Sequence, residues 1–271
     1  MSDSTQSGQP EPLLKGKGLT KRFGKVIALS NVDFDVNYNE VVGLLGDNGA
    51  GKSTLVKTIM GVFPLDAGEM YFMGKRARFG SPEEARASGI EIVYQGMNLI
   101  ESMNVWRNFF IGKEETRRFG PLRFLNIHSM KKVTMANLAK VRVSMRSADE
   151  FINILSGGQK QSVAIGRALH FGAKLLILDE PTTALSVRET EQVLTFIKSL
   201  KEIGVSVIFI THNIYHVYDV ADRFEVLDHG TLIGSLRKDE MRDGKPACTP
   251  ELIMDLIRRG QKDENGSADA R

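Results

Sequence analysis

The chain has 271 residues, of which 42% are hydrophobic and 25% charged, enough apolar material for one large domain with a sizeable core. Its formal charge of +3, from 36 basic and 33 acidic residues, is too balanced to argue for a nucleic-acid partner. The single cysteine, Cys248, excludes an intrachain disulfide and suits a reducing compartment, and no apolar run approaches the ~18–20 residues that a spanning helix needs.

In chain order, residues 1–12 are polar and rich in Pro, Gly and Ser; they are expected to be disordered and to hold no signal-peptide core. "NVDFDVNY" alternates Val32, Phe34 and Val36 with polar residues, as a half-exposed strand does. "EVVGLLG" (40–46) is a short apolar run ending in glycine, the pattern of a buried strand. From Gly51 the chain turns helical, with Leu55, Ile59 and Met60 on one side. A hairpin is expected in 69–79, turning at Gly74-Lys75. A short helix follows with Ser81 as N-cap and Pro82 at its first position, then a strand over 90–95.

Residues from about 96 to 153 mix aromatic and basic clusters with helical periodicity, and with the next helix they form an expected helical subdomain over about 96–170. A helix is expected after Ser156, a strand over 174–180, a helix from Val187, a strand over 205–211 and a strand pair around His229-Gly230. Such alternation implies a mostly parallel sheet with flanking helices. An amphipathic helix capped by Thr249 is expected to stop at Gly260, before a disordered tail over 261–271.

Two glycine-rich stretches carry chemistry. "GDNGAGKST" (Gly46, Asp47, Asn48, Gly49, Ala50, Gly51, Lys52, Ser53, Thr54) lies between an expected strand and an expected helix and fits the phosphate-loop pattern. Its glycines let backbone N–H groups crowd round phosphate oxygens, and the helix N-terminus adds positive charge. Lys52 would reach the outer phosphates, the Ser53 hydroxyl would bind Mg²⁺, and Thr54 would add a phosphate contact. "LLILDE" brings Asp179 and Glu180 to the C-terminal end of a strand, where open α/β sheets bind ligands. Asp179 is the candidate metal ligand and Glu180 the candidate general base for the attacking water. "LSGGQ" (Leu155 to Gln159) caps a helix with Ser156 and exposes the Gly157 and Gly158 N–H groups at its positive end, with no lysine or metal ligand of its own.

The order of these motifs resembles the nucleotide-binding subunits of ABC transporters. Phosphate loop, Gln95, LSGGQ, Asp-Glu strand end and lone His212 follow one another, and the resemblance covers roughly residues 13–237 within an expected cassette of 13–260. It implies a P-loop NTPase core with an antiparallel β part and an inserted helical subdomain. It also implies ATP and Mg²⁺ as cofactors, and two copies paired head-to-tail with ATP between the phosphate loop of one and Ser156, Gly157, Gly158 and Gln159 of the other. Gln95 would touch the metal and the water, and His212 would hold the γ-phosphate. Phe23 would stack on adenine, its alternative being a core phenylalanine.

Trp106, Phe109 and Phe110 fall where that family receives its permease, or else form a helical core. "GMNLIESMNVWRNFFIGKE" resembles the sugar importers of the family, implying an ATPase for a monosaccharide such as fructose or ribose. The partners so implied are membrane permease subunits on the inner side of the membrane and, indirectly, a periplasmic sugar-binding protein, with no nucleic acid. A soluble, non-transport ABC ATPase and an importer or exporter of another solute are the alternatives. Two departures stand out: Ser186 occupies the place of a common aspartate, which bears on communication between paired sites, and Ser162 that of a common arginine.

Overall fold

The computed structural model describes residues 11–268 apart from 97, 141–144, 184 and 243–244. The expectation of disorder over residues 1–12 therefore falls almost wholly outside the described residues. Strands β1 (Leu14–Phe23), β2 (Val26–Val36), β4 (Ala67–Phe72) and β5 (Lys75–Ala77) form one antiparallel sheet in the order β2-β1-β4-β5. A six-stranded sheet is built from β3 (Val41–Leu45), β6 (Ile90–Val93), β9 (Leu175–Asp179), β10 (Ser206–Ile210), β11 (Arg223–Asp228) and β12 (Thr231–Arg237). Its order is β12-β11-β3-β10-β9-β6, parallel except for the edge strand β12.

Strands of this sheet read as continuous apolar runs because both faces are covered. Alternate side chains divide between two cores. Val41, Leu45, Leu176, Leu178, Val207 and Phe209 pack with the helical side. Val42, Leu44, Leu175, Ile177, Ile208 and Ile210 pack with α1 (Lys52–Ile59), α2 (Pro82–Ser88) and the antiparallel sheet. The helical side comprises α3 (Val105–Phe110), α4 (Ile127–Lys140), α5 (Gly157–His170), α6 (Val187–Glu202), α7 (Ile214–Val220) and α8 (Pro250–Ala268). Small pairs β7 (Thr116–Phe119) with β8 (Leu122–Leu125) and β13 (Met241–Arg242) with β14 (Lys245–Pro246) complete the strands among the described residues.

Three differences from the sequence reading have physical causes. The insertion is not helical throughout: β7 and β8 form an exposed hairpin between α3 and α4. Pairing of Arg117 with Phe124 and Phe119 with Leu122 uses a period of two over only four residues per strand, too short to outweigh the helical pattern around it. Second, α8 runs on through Gly260 to Ala268, into the stretch expected to be a disordered tail. A glycine inside a helix costs only about 1 kcal/mol relative to alanine, and no proline follows to stop the helix. Third, Trp106, Phe109 and Phe110 are all buried in the helical core, so they are packing residues rather than an open docking face. Asn108, also buried, ties down the loop before them: its Oδ1 accepts from the Ile100 N–H at 2.7 Å, and its Nδ2 donates to the Ile100, Met103 and Asn104 carbonyls at 3.0–3.3 Å.

A buried charge cluster fastens the sheet at the end away from the phosphate loop. Arg223 donates from Nε to Glu40 at 3.0 Å, from Nη1 to Glu225, and from Nη2 to the Asp35 carbonyl at 2.6 Å. Burial pushes the Glu225 carboxyl up to about 7 against the pull of Arg223. The folded chain therefore holds that proton more tightly than the unfolded chain, whose value is near 4.5. Stability from this group is complete below 4.5 and declines as pH rises toward 7. Replacing Arg223 by Met strands two buried carboxylates and is expected to cost about 3–5 kcal/mol, read as a lower midpoint in denaturant unfolding. A midpoint equal to that of the parent chain would remove the cluster from any role in stability.

Candidate functional site

The phosphate loop spans the end of β3 and the start of α1. Its shape depends on glycines at positive φ. Gly46 has φ 139°, and a Cβ there would run into the Leu227 carbonyl oxygen at the end of β11. Gly51, the N-cap of α1, has φ 106° and lies against the Ala28 carbonyl. Such backbone is open to glycine and strained for other residues. The loop thus fits tightly between β2 and β11 and borders a cavity.

That cavity has a volume of about 620 Å³, in the range of small-molecule sites. Its walls include Asp47 to Thr54, Gln95, Asp179, Glu180 and His212, which are the expected residues of the loop, the β6 end, the β9 end and the β10 end. Parallel strands β6, β9, β10 and β3 all deliver their C-terminal ends to the same rim, so residues over a hundred positions apart meet there.

Lys52 donates to the carbonyls of Gly46 at 2.5 Å and Asp47 at 2.8 Å, two of its three N–H bonds. Burial lowers its pKa, while Glu180, Asp47 and Asp179 act in the opposite sense. Burial, helped by the Glu180 charge, raises the Asp179 carboxyl. An anionic carboxylate so placed is favoured by a cation. Ser53 offers a hydroxyl and Gln95 an amide oxygen on the same cavity, and this oxygen donor set fits Mg²⁺.

Glu180 is the most constrained residue of the site. It has φ 51° without being glycine, a conformation of about 1 kcal/mol cost or more. Both carboxylate oxygens are held. Oε2 accepts from Thr183 Oγ1 and Thr211 Oγ1 at 3.1 Å each, while Oε1 accepts from the His212 backbone N–H at 3.1 Å. The His212 Nδ1 lies 2.8 Å from Oε1, a pairing that calls for the proton on Nδ1 when Glu180 is ionised. The His212 ring is otherwise 76% exposed, leaving Nε2 to solvent or ligand.

Other expected residues stand apart from this cavity. Phe23 does not line it: the ring is 43% exposed and meets Phe63 edge-on at 4.9 Å. Its cross-strand partner Val26, with Ile27 and Ala28, forms the apolar wall instead. His229, in the turn between β11 and β12, also lines the cavity. The sequence offers for Val26 and Ile27 only an apolar pair after Gly24-Lys25, whose exposure is seen in the fold alone, and for His229 a turn already expected at that position. Ser156, Gly157, Gly158 and Gln159 are not among the cavity walls either. They begin α5 with a reciprocal capping box, Ser156 Oγ accepting from the Gln159 N–H and Gln159 Oε1 from the Ser156 N–H.

The pattern of the ABC transporter family matches residues 29–183. The chain is 43% identical over 228 residues to the xylose/arabinose import ATP-binding protein XylG of Sulfolobus acidocaldarius, covering 84% of this chain and 89% of that one. It is 41% identical to the fructose import ATP-binding protein FrcA of Rhizobium meliloti, covering 80% and 85%. It is 40% identical to the ribose import ATP-binding protein RbsA 1 of Rubrobacter xylanophilus, covering 93% of this chain and 48% of that longer one. Among solved structures it resembles a nucleotide-free ATP-binding cassette from an ABC transporter, with TM-score 0.72, 28% identity and coverage of 84% and 92%. A dimeric cassette in a post-hydrolysis state with ADP and Pi gives TM-score 0.68 at 28% identity, covering 84% of this chain and all of that one.

Proposed function

The chain belongs to the ABC transporter family and is an ATP-hydrolysing subunit of it, and from that premise we propose that it powers uptake of a monosaccharide as a pair of identical cassettes. The observation that carries the pairing is the division of the two glycine-rich stretches. Lys52, Ser53, Gln95, Asp179, Glu180 and His212 share one cavity, and Ser156 to Gln159 lie outside it. Each chain therefore offers a phosphate cradle without a lid and a lid without a cradle. Two copies related by a two-fold axis complete two sites at once, the loop of one facing the signature turn of the other.

In this reading the backbone N–H groups of Gly49 to Lys52 hold the β-phosphate and Lys52 exchanges its loop carbonyls for phosphate oxygens. Ser53 and Asp179, with Gln95, hold Mg²⁺, which supplies charge neutralisation on the phosphates when bound. Glu180 accepts the proton of the attacking water through a carboxylate whose Oε2 is kept in place by Thr183 and Thr211 and whose Oε1 is kept in place by His212. His212 Nε2 meets the γ-phosphate, and Val26 and Ile27 face the base. Phe23 is in register with Val26 and extends that apolar edge.

The sugar class rests on the similar proteins, which are import ATP-binding proteins for xylose and arabinose, for fructose and for ribose. No helix among the described residues is long and apolar enough to cross a membrane. In this reading the path for the sugar belongs to permease subunits with the cassette at their inner side, on the strength of the import function of the similar proteins. A cleft lined by Glu91, Tyr94, Lys113, Arg167 and Phe171, beside the strand that leads to Gln95, is the surface we assign to that contact. The test is transport: removing the chain from its host should abolish uptake of one labelled sugar among xylose, arabinose, fructose and ribose. Unchanged uptake of all four would overturn the sugar assignment.

A further inference from the structure

Helices α5 and α6 bring their N-termini together. The signature turn opens α5 and Ser186 opens α6. A Cβ on Gly157 would press on the Leu185 side chain, and one on Gly158 would touch that of Glu189, so the two turns are in contact. Ser186 and Glu189 form a second capping box. Glu189 Oε2 accepts from the Ser186 hydroxyl at 2.7 Å and from its N–H at 3.0 Å. The other oxygen, Oε1, reaches across to accept from the Gly158 N–H at 3.3 Å. In the signature turn the Gln159 N–H is taken by Ser156, and the Gly158 N–H by Glu189.

We propose that the Glu189 carboxylate is a resident stand-in for phosphate at the signature turn, holding the Gly158 N–H until the γ-phosphate of ATP on a second copy takes it over. A helix N-terminus attracts an anion, and here the chain supplies one from its own neighbouring helix. Hydrogen bonds from the Ser186 hydroxyl and backbone, with that of Gly158, hold the carboxyl down at about 2, so it is ionised at any working pH. An incoming phosphate therefore meets a fixed negative charge. Closing the site requires Oε1 to release Gly158 while the two Ser186 bonds retain Oε2. The position of Ser186 gains a reason: its hydroxyl donates to Glu189, whereas an aspartate there would set a second carboxylate against it. Glu189 acts through the turn and is a positioning residue.

The inference rests on the head-to-tail pairing proposed above. Its test uses the full chain carrying Glu180→Gln, titrated with ATP and Mg²⁺, with pairing read by sedimentation. Adding Glu189→Gln, which removes one negative charge beside a multiply charged phosphate, should lower the ATP concentration for half-pairing by about tenfold. Glu189→Ala should shift it in the same direction and rules out a bond re-formed by glutamine. Ser186→Ala keeps the carboxylate and should give no such gain. Binding of a fluorescent ATP analogue to unpaired chain should be equal in all of them. An ATP requirement that is unchanged or raised in both Glu189 variants would overturn the role of Glu189 and leave pairing intact. A Glu180→Gln chain that never pairs with ATP would overturn the pairing and this inference with it.

Discussion

Replacing Glu180 by Gln is expected to reduce ATP hydrolysis by about 10²–10⁴-fold, the range associated with losing a general base, while ATP still binds. The substitution keeps the side-chain shape and removes the proton acceptor. Of the four contacts of the carboxylate, Thr183 and Thr211 can still donate to an amide oxygen in the place of Oε2, and an NH2 in the place of Oε1 can donate to a His212 Nδ1 that carries no proton, so the bond from the His212 backbone N–H is the one lost and the local fold survives. The φ of 51° is unchanged by the swap, since it belongs to the backbone turn that ends β9. The protein should then accumulate in its ATP-bound form. Steady-state phosphate release checks the rate, and equilibrium binding of a fluorescent ATP analogue checks the affinity. Wild-type turnover in Glu180→Gln would remove Glu180 from the reaction.

The second large effect is expected at the opposite stretch. Ser156→Ala should lower turnover by about 10²-fold, the scale of one lost donor to transition-state charge, with nucleotide affinity of the cradle unchanged. The two readouts separate because Ser156 lies outside the cavity that holds Lys52 and Asp179. Some stability goes with the change, since the Ser156 hydroxyl caps α5; a lost N-cap costs about 1 kcal/mol. A thermal melt therefore accompanies the kinetics, and activity is compared well below the transition. Loss of ATP affinity in Ser156→Ala would place the signature turn at its own chain's nucleotide and contradict the division of labour.

Much of this was legible before the fold was known. Strand ends were readable because a buried parallel strand is a short apolar run with a sharp polar end, as in "LLGDNG" and "LILDEP". The residues that share the cavity, Lys52, Asp179 and Glu180 among them, followed, since they stand at those ends. Three kinds of information were not legible. Aromatic character does not say which way a ring faces: Phe23 is on the surface beside the cavity while Trp106, Phe109 and Phe110 are buried. Weak two-residue periodicity in "TRRFGPLRFL" was hidden by flanking helical pattern. The holders of Glu180, Thr183 and Thr211, act through side-chain geometry that no motif spacing encodes. Ser186 is a different case. Read as a missing aspartate it looks like a loss, yet "SVRE" is itself a capping-box sequence, and its glutamate is the residue that reaches the signature turn.

The central claim, that each site is completed by a second copy, is tested most directly by mixing two inactive variants. Lys52→Ala removes the cradle and Ser156→Ala the lid. In a head-to-tail pair of one of each, both defects fall on the same site and the other site is intact. Equal amounts should therefore regain about a quarter of wild-type ATPase activity, because half the pairs are mixed and each has one working site of two. Activity in the mixture that stays at the average of the two separate variants, with both shown to be folded and to exchange partners, would contradict shared sites.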